Sequence, residues 1–227
     1  KLASLGELAA GLAHEINTPT GIILARLDCM MLDQENPLPD HVREDLTVIR
    51  RHADRLRRIT SSLTSFARRH KVEKRPVVIQ ELLRELLEIT ERLVSKGNVS
   101  IALDLPEEAM IAFADGTMVQ QVFMNIIINA RDAMPNGGVL SISGRECGDE
   151  LRLVFRDTGE GMDEETRRRI FDPFFTTKEA RGTGLGLSVS YGIIKEHGGH
   201  IEVESAPGAG AQFTVVLPRY IPGGEKL

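Results

Sequence analysis

Apolar residues in this chain keep two different rhythms, and the rhythm changes at Arg75-Pro76. Before that point the pattern is helical. Leu5, Leu8, Leu12, Ile16, Ile23, Leu27 and Met30 recur at steps of three, four or seven. The stretch QENPLPD at 34–40 interrupts them with Pro37 and Pro39, and Asp40 is placed to cap a second helix. In that helix Val42, Leu46, Ile49, Ala53, Leu56, Ile59, Leu63 and Phe66 alternate steps of four and three, a heptad seam. Two amphipathic helices with a short connection predict an antiparallel hairpin. A lone hairpin cannot cover its own apolar stripes, so a dimeric four-helix bundle is the expected solution.

After Arg75-Pro76 the texture is that of strands mixed with helices. VVI (77–79), VSIALDL (99–105) and MIAFA (110–114) read as strands, and 80–95 and 115–134 as helices. VLSISGRE (139–146) and ELRLVFRD (150–157) alternate like paired strands around Cys147-Gly148-Asp149. A glycine-rich stretch leads into a helix at about 184–197, and HIEVESAP (200–207) with AQFTVVLP (211–218) forms a last hairpin around Gly208 and Gly210. This order predicts a mixed sheet with helices on one face. The expected division is a helical domain over 1–72 and an α/β domain over 73–227, an α + α/β architecture.

Composition narrows the function. The 227 residues are 41% hydrophobic and 27% charged, an ordinary soluble balance. Aromatics are 4% and Trp is absent, so the core is expected to be aliphatic. A formal charge of −5 argues against a chain that chiefly binds nucleic acid. No apolar run approaches the ~20 residues that span a bilayer, and no signal peptide is visible. Cys29 and Cys147 lie far apart, as expected for two unpaired thiols in a reducing cytoplasm. The chain begins with Lys1 in mid-pattern, which predicts a fragment with an upstream part missing.

Residues 11–21 read GLAHEINTPTG. On a wheel with Leu12 at zero, His14 falls at about 200° and Thr18 at about 240°, away from the apolar face. Ala10, Gly11, Gly21 and Ala25 share that side, so another surface can come close. An exposed imidazole can act as a nucleophile through one ring nitrogen, and adjacent Glu15 can serve as its base. Thr18, one turn on, can place a water for in-line attack on a group carried near His14. Pro19 removes the backbone bond to the Glu15 carbonyl. A solvated surface histidine is the alternative. No second histidine stands at helical spacing for a metal.

Four stretches of the second half carry further chemistry. In NIIINARDAM (125–134), Asn125 and Asn129 share one helix face. Two such amides suit Mg²⁺ and phosphates, or else a hydrogen-bonded packing pair. In DTGEGM (157–162), Asp157 at a strand end can accept from an amino group such as that of adenine, and Gly159 and Gly161 permit close approach. An ordinary turn would read the same. FDPFFTTK (171–178) is apolar for a loop, and Phe174 and Phe175 beside Lys178 suggest a lid over something anionic. In GTGLGLS (182–188), Gly182, Gly184 and Gly186 open a helix whose N-terminal amides favour phosphate. No GK[ST] follows, which excludes a Walker A loop, and no strand precedes, which disfavours a Rossmann turn.

In this order and spacing the four stretches resemble the asparagine, first glycine, phenylalanine and second glycine boxes of sensor histidine kinases. HEINT (14–18) resembles that family's phospho-acceptor motif, and HEIN, NARDAM and FDPFFTTK look most like its nitrogen-regulation-type subgroup. Many relatives place a lysine three residues after the second asparagine, where this chain has Asp132. Phosphate charge then falls to Lys178, with Arg131 and Arg181 as further candidates.

The resemblance implies a homodimeric helical hairpin followed by an α/β sandwich of the gyrase, heat-shock chaperone and histidine-kinase ATPase type. It implies ATP and Mg²⁺ as cofactors. Asn129 would ligate the metal and Asn125 lie near the phosphates. Asp157 would take the adenine amino group, with Gly159 and Gly161 beside it. Met162 to about Arg181 would form a mobile lid hinged at Gly182, Gly184 and Gly186, with Leu187 in the site. His14 would attack the γ-phosphorus with Glu15 as base. The phosphoryl group would pass to an aspartate of a response-regulator receiver domain, and Thr18 would position water for the reverse dephosphorylation. The basic run Arg50, Arg51, Arg55, Arg57 and Arg58 would dock partners or stand as a solvated face. A sensing region upstream would be absent. Competing readings are a superfamily ATPase that drives conformational change, a regulatory dimeric scaffold, and a serine kinase on the same ATP fold.

Overall fold

The computed structural model describes residues 2–32, 38–67, 72–95, 98–178 and 182–221; for 2–14, 58–59, 61–67 and 91–95 it describes the backbone only. Most of the 34–40 connection, the side chain of His14, and Arg181 therefore lie outside the described residues. The chain divides into two compact units, Lys1–His70 with Thr176–Leu185, and Lys71–Phe175 with Gly186–Leu227.

The first unit is built on two helices, α1 (Leu2–Leu32) and α2 (Asp40–Ala67). The expected single apolar face separates into two. Thr20, Leu24 and Leu27 of α1 are buried, as are Leu46, Ala53 and Thr60 of α2. Ile16, Ile23, Met30, Ile49 and Leu56 stay exposed. The two threonines sit on the buried face because their hydroxyls are satisfied there. Thr20 Oγ1 donates to the Ile16 carbonyl at 2.7 Å, and the Thr60 hydroxyl donates to Asn17 Oδ1. Arg50 and Asp28 pair across the helices at 3.0 Å, half-exposed. Pro19 lies inside the continuous α1.

The second unit contains β1 (Arg75–Val78), α3 (Ile79–Ser95), β2 (Val99–Asp104), β3 (Ile111–Ala114), α4 (Gly116–Asp132), β4 (Gly138–Cys147), β5 (Glu150–Asp157), α5 (Glu164–Arg169), α6 (Gly186–Glu196), β6 (His200–Ser205) and β7 (Ala211–Pro218). The first strand runs over 75–78 rather than 77–79, because Arg75-Pro76 extends an exposed edge pairing against β3. The main sheet has the order β2-β4-β5-β7-β6. β2 joins β4 in parallel and the other neighbours are antiparallel, so the sheet is mixed as expected.

Alternation sends Leu151, Leu153 and Phe155 of β5 and Phe213, Val215 and Leu217 of β7 into the core. There they join Val122, Phe123, Ile126 and Ile127 of α4 in one cluster. The core is aliphatic apart from a few phenylalanines, of which Phe123 and Phe155 meet at a tilt with centroids 5.4 Å apart. The start of α4 is fixed twice. Asp115 caps it, accepting from Thr117 N and Met118 N at 3.1 and 3.3 Å. Asp115 N in turn donates to Nε2 of buried His197 at 3.0 Å, and His197 Nδ1 meets the Ile193 carbonyl at 2.7 Å. A carbonyl only accepts, so Nδ1 is the donor there and Nε2 the acceptor from Asp115 N. Among the described residues no helix is long and apolar enough to cross a membrane.

Candidate nucleotide site

The site residues of the second unit gather at three places: the α4–α6 contact, the end of β5, and the loop after β5. Asn125 lies mid-way along α4, partly buried. Its Nδ2 donates to the Gly186 carbonyl at 3.0 Å and to Ser190 Oγ at 3.1 Å. Asn129 follows one turn later, also partly buried. Beyond it Arg131 Nε and Nη2 donate to Asp132 Oδ1 at 3.0 and 2.5 Å. The acid that replaces the family's lysine thus engages the neighbouring arginine, which bears on Arg131 as a phosphate ligand.

Asp157 is the last residue of β5 and is buried. Its Oδ1 accepts from Gly159 N at 2.9 Å and from Ala211 N at 3.2 Å. Oδ2 has no hydrogen bond among the described residues. Burial pushes the carboxyl above its ordinary value of 3.8, and the two backbone N–H groups, which pull the other way, do not cancel that. A desolvated acceptor with one committed and one open oxygen can receive an N–H from a ligand.

The glycines after Asp157 have an intrachain reason to be glycine. A Cβ at Gly159 would lie 2.5 Å from the Ala133 carbonyl oxygen. Gly161 has φ 68°, and its Cβ would lie 2.0 Å from the Ala206 carbonyl oxygen. The loop is pinned further by Gly208 N to the Glu160 carbonyl at 2.6 Å and Met162 N to Ser205 Oγ at 2.9 Å. The turn between β6 and β7 therefore buttresses the Asp157 loop. From the sequence Gly208 and Gly210 read only as turn residues. In the fold a Cβ at Gly210 would lie 2.0 Å from the Asp157 carbonyl oxygen, so this glycine also serves the site.

The phenylalanine box does not act as one block. Phe171 and Phe175 pack against the core, Phe171 beside Tyr191 with centroids 5.2 Å apart and Phe175 under the Arg169 guanidinium at 4.4 Å. Phe174 between them is 57% exposed, with φ 67°. Leu187 also packs on the core, and Gly186 begins α6.

Lys178, Gly182 and Gly184 belong to the segment grouped with the first unit. There Gly182 N donates to the Lys178 carbonyl at 3.1 Å, and a Cβ at Gly182 would lie 2.1 Å from Thr176 Oγ1. Gly184 has φ 67°. On α1, Glu15, Thr18, Gly21 and Ala25 are exposed, and a Cβ at Gly21 would meet nothing within 4 Å. Small residues here line an open stripe rather than a packed one.

Among the described residues no three His, Cys, Asp or Glu side chains cluster as a metal site. The available donors are neutral amides. Such a set fits Mg²⁺ that arrives with phosphate oxygens and keeps its waters, rather than a resident ion held by carboxylates.

Residues 4–71 match the His Kinase A (phospho-acceptor) domain, and residues 114–221 match the histidine kinase-, DNA gyrase B-, and HSP90-like ATPase family. The catalytic domain of histidine kinase ThkA is 34% identical, with TM-score 0.59, over 65% of this chain and 98% of that one. The chain belongs to the sensor histidine kinase family. Sensor histidine kinase ZraS of Klebsiella oxytoca is 39% identical over 225 residues, 96% of this chain and 47% of ZraS. Full-length ShkA in complex with AMPPNP superposes with TM-score 0.77 at 26% identity, over 94% of this histidine kinase chain and 46% of ShkA. ThkA in complex with the response regulator protein TrrA gives TM-score 0.69 at 29% identity, over 95% and 62%. The chain spans half or less of the length of the curated relatives it matches.

Proposed function

We propose that this histidine kinase chain works as a homodimer that phosphorylates itself on His14 from ATP and passes the phosphoryl group to an aspartate of a response-regulator receiver domain. The observation that carries the reading is Asp157, a buried carboxylate with one oxygen committed to Gly159 N and Ala211 N and the other open. Adenine, which carries an exocyclic N–H donor, satisfies that oxygen. Asn129 is the metal ligand in this reading. Mg²⁺, when bound, offsets charge on the β- and γ-phosphates. The N-terminal amides of α6, opened by Gly186 and Leu187, meet phosphate, and Gly182, Gly184 and Lys178 join them on their place in the motif.

In the transfer step a ring nitrogen of His14 forms a bond to the γ-phosphorus as the bond to the β-phosphate oxygen breaks, releasing ADP. Glu15, exposed beside it, takes the proton from the other ring nitrogen. Thr18, exposed one turn further, places water for dephosphorylation of the regulator. The helical domain is 1–72 and the ATP domain 73–227, with a sensing region upstream. The exposed stripe of Ile16, Ile23, Met30, Ile49 and Leu56 is the surface a second copy covers.

The test is incubation with γ-labelled ATP and Mg²⁺. The expected product is an acid-labile, alkali-stable label on the protein that disappears in His14→Gln and chases onto a receiver domain. An acid-stable label would mean a serine kinase, and free phosphate without label an ATPase. Either result refutes the proposal.

A further inference from the structure

Ser190 stands outside every motif of the sequence, yet it is fully buried and touches a site residue. Its Oγ donates to the Gly186 carbonyl at 2.9 Å, the bond a helical serine makes to the residue four before it. With its one proton spent there, Oγ can only accept from Asn125 Nδ2, which lies 3.1 Å away. The same Nδ2 donates to the Gly186 carbonyl at 3.0 Å. A carbonyl oxygen cannot donate, so the amide end facing it has to be the nitrogen. The nitrogen end of the Asn125 amide is thereby held towards α6.

We infer that Ser190 is a positioning residue that holds the nitrogen end of the Asn125 amide against α6, so that Asn125 serves the site through its oxygen, as an acceptor. The inference rests on the ATP reading above and refines it. An outward amide oxygen faces a phosphate oxygen unfavourably and a cation or its bound water favourably. Asn125 therefore acts on the metal side of the nucleotide. Gly186 completes the clamp without crowding it, because a Cβ there would stand 3.6 Å from Asn125 Cγ, an ordinary contact. The clamp also joins the helix bearing the two asparagines to the helix that opens towards phosphate.

The experiment is AMPPNP binding by calorimetry, in excess Mg²⁺ and in EDTA, for wild type, Ser190→Ala and Ser190→Thr, with thermal melting of each. Loss of one buried hydrogen bond that orients the amide is expected to weaken Mg²⁺–AMPPNP binding about tenfold. Binding in EDTA should stay at the wild-type value, and Ser190→Thr, which keeps the hydroxyl, should restore the Mg²⁺-dependent part. Equal weakening in Mg²⁺ and EDTA, or none in either, overturns the inference. A second readout needs no variant. A hydrogen-bonded Asn125 side-chain N–H of the wild type should exchange slowly with solvent before nucleotide is added, and rapid exchange of both NH₂ protons overturns the inference as well. Wild type that binds AMPPNP in neither condition removes the ATP reading itself, a result distinct from a Ser190 variant that behaves like wild type.

Discussion

Asp157→Asn separates the two roles of the buried carboxylate. In the wild type, Oδ1 holds Gly159 N and Ala211 N, and an asparagine Oδ1 can keep both bonds. The other oxygen becomes an NH₂ group. For the fold, the change is favourable at neutral pH. Burial raises the Asp157 carboxyl above its ordinary 3.8, so the ionised form is a cost that folding bears. The sign follows from linkage. A raised folded value means that the stability this group contributes is fully present below the ordinary value and is lost as pH rises through the folded value. Asp157→Asn should therefore melt higher than wild type near pH 7, and its advantage should shrink as pH falls through the raised value and the native carboxyl takes up its proton.

For the ligand, the effect is opposite. In the proposed binding mode the adenine amino group loses a charged acceptor and meets a donor. That costs about 2–3 kcal/mol, or about 30–140-fold in Kd for AMPPNP. A base with a carbonyl in place of the amino group, as in inosine nucleotides, accepts from the new NH₂ and should lose far less. Calorimetry with the two nucleotides and melting curves from pH 4 to pH 8 read both effects. Unchanged AMPPNP affinity, or a lower melting temperature at pH 7, would refute the assignment of Asp157 as a destabilising acceptor kept for adenine.

Two further outcomes follow from the packing. Gly161→Ala places a Cβ 2.0 Å from the Ala206 carbonyl oxygen at φ 68°, whereas Gly148→Ala has φ 62° with nothing within 4 Å. Urea unfolding should show a loss of about 3 kcal/mol for Gly161→Ala and about 1 kcal/mol for Gly148→Ala; equal losses would mean the loop yields. Ile49→Glu puts a charge on the exposed apolar stripe and should weaken the dimer by more than about 100-fold in sedimentation equilibrium, with helix content retained. Leu24→Glu, on the face buried within the protomer, should instead reduce helix content, and a dimer unmoved by Ile49→Glu would place the interface elsewhere.

The sequence carried most of the strands because alternation is local. Residues 150–157 and 211–218 emerged with the spans that Leu151-Leu153-Phe155 and Phe213-Val215-Leu217 announce. Pairing is not local. Nothing in residues 99–104 says that they lie parallel to 138–143. The helical hairpin was legible as two apolar helices but not as two stripes. Heptad spacing orders residues along a face without saying which partner covers it. Thr20 hides on the inner face because a threonine bonded to its own helix is no longer polar to its neighbours, and Thr60 because its hydroxyl meets Asn17 across the hairpin. Gly159 and Gly161 were visible as glycines. The backbone that excludes a Cβ comes from Ala133 and Ala206, which only the folded chain brings there. Ser190 gave no signal at all, since its contact with Asn125 exists only in the folded chain.

Asp157 and Asn125 share a design that fixes the polarity of the site. Each commits one end to backbone that cannot change its role: Asp157 to two N–H groups, Asn125 to a carbonyl and to a hydroxyl already spent on that carbonyl. Each then presents an oxygen. Acceptors of this kind suit the amino edge of a base and the cation beside the phosphates, and they repel the phosphates themselves. The anionic charge of a nucleotide must be met by donors instead, and α6 begins at Gly186, beside the amide that Ser190 holds. The N-terminal amides of a helix point along its axis and favour negative groups. The clamp at Asn125 thus sets the acceptor side of the site and anchors the donor side with the same two hydrogen bonds. Displacing α6 should disturb metal and phosphate binding together, whereas turning the amide alone should disturb only the metal.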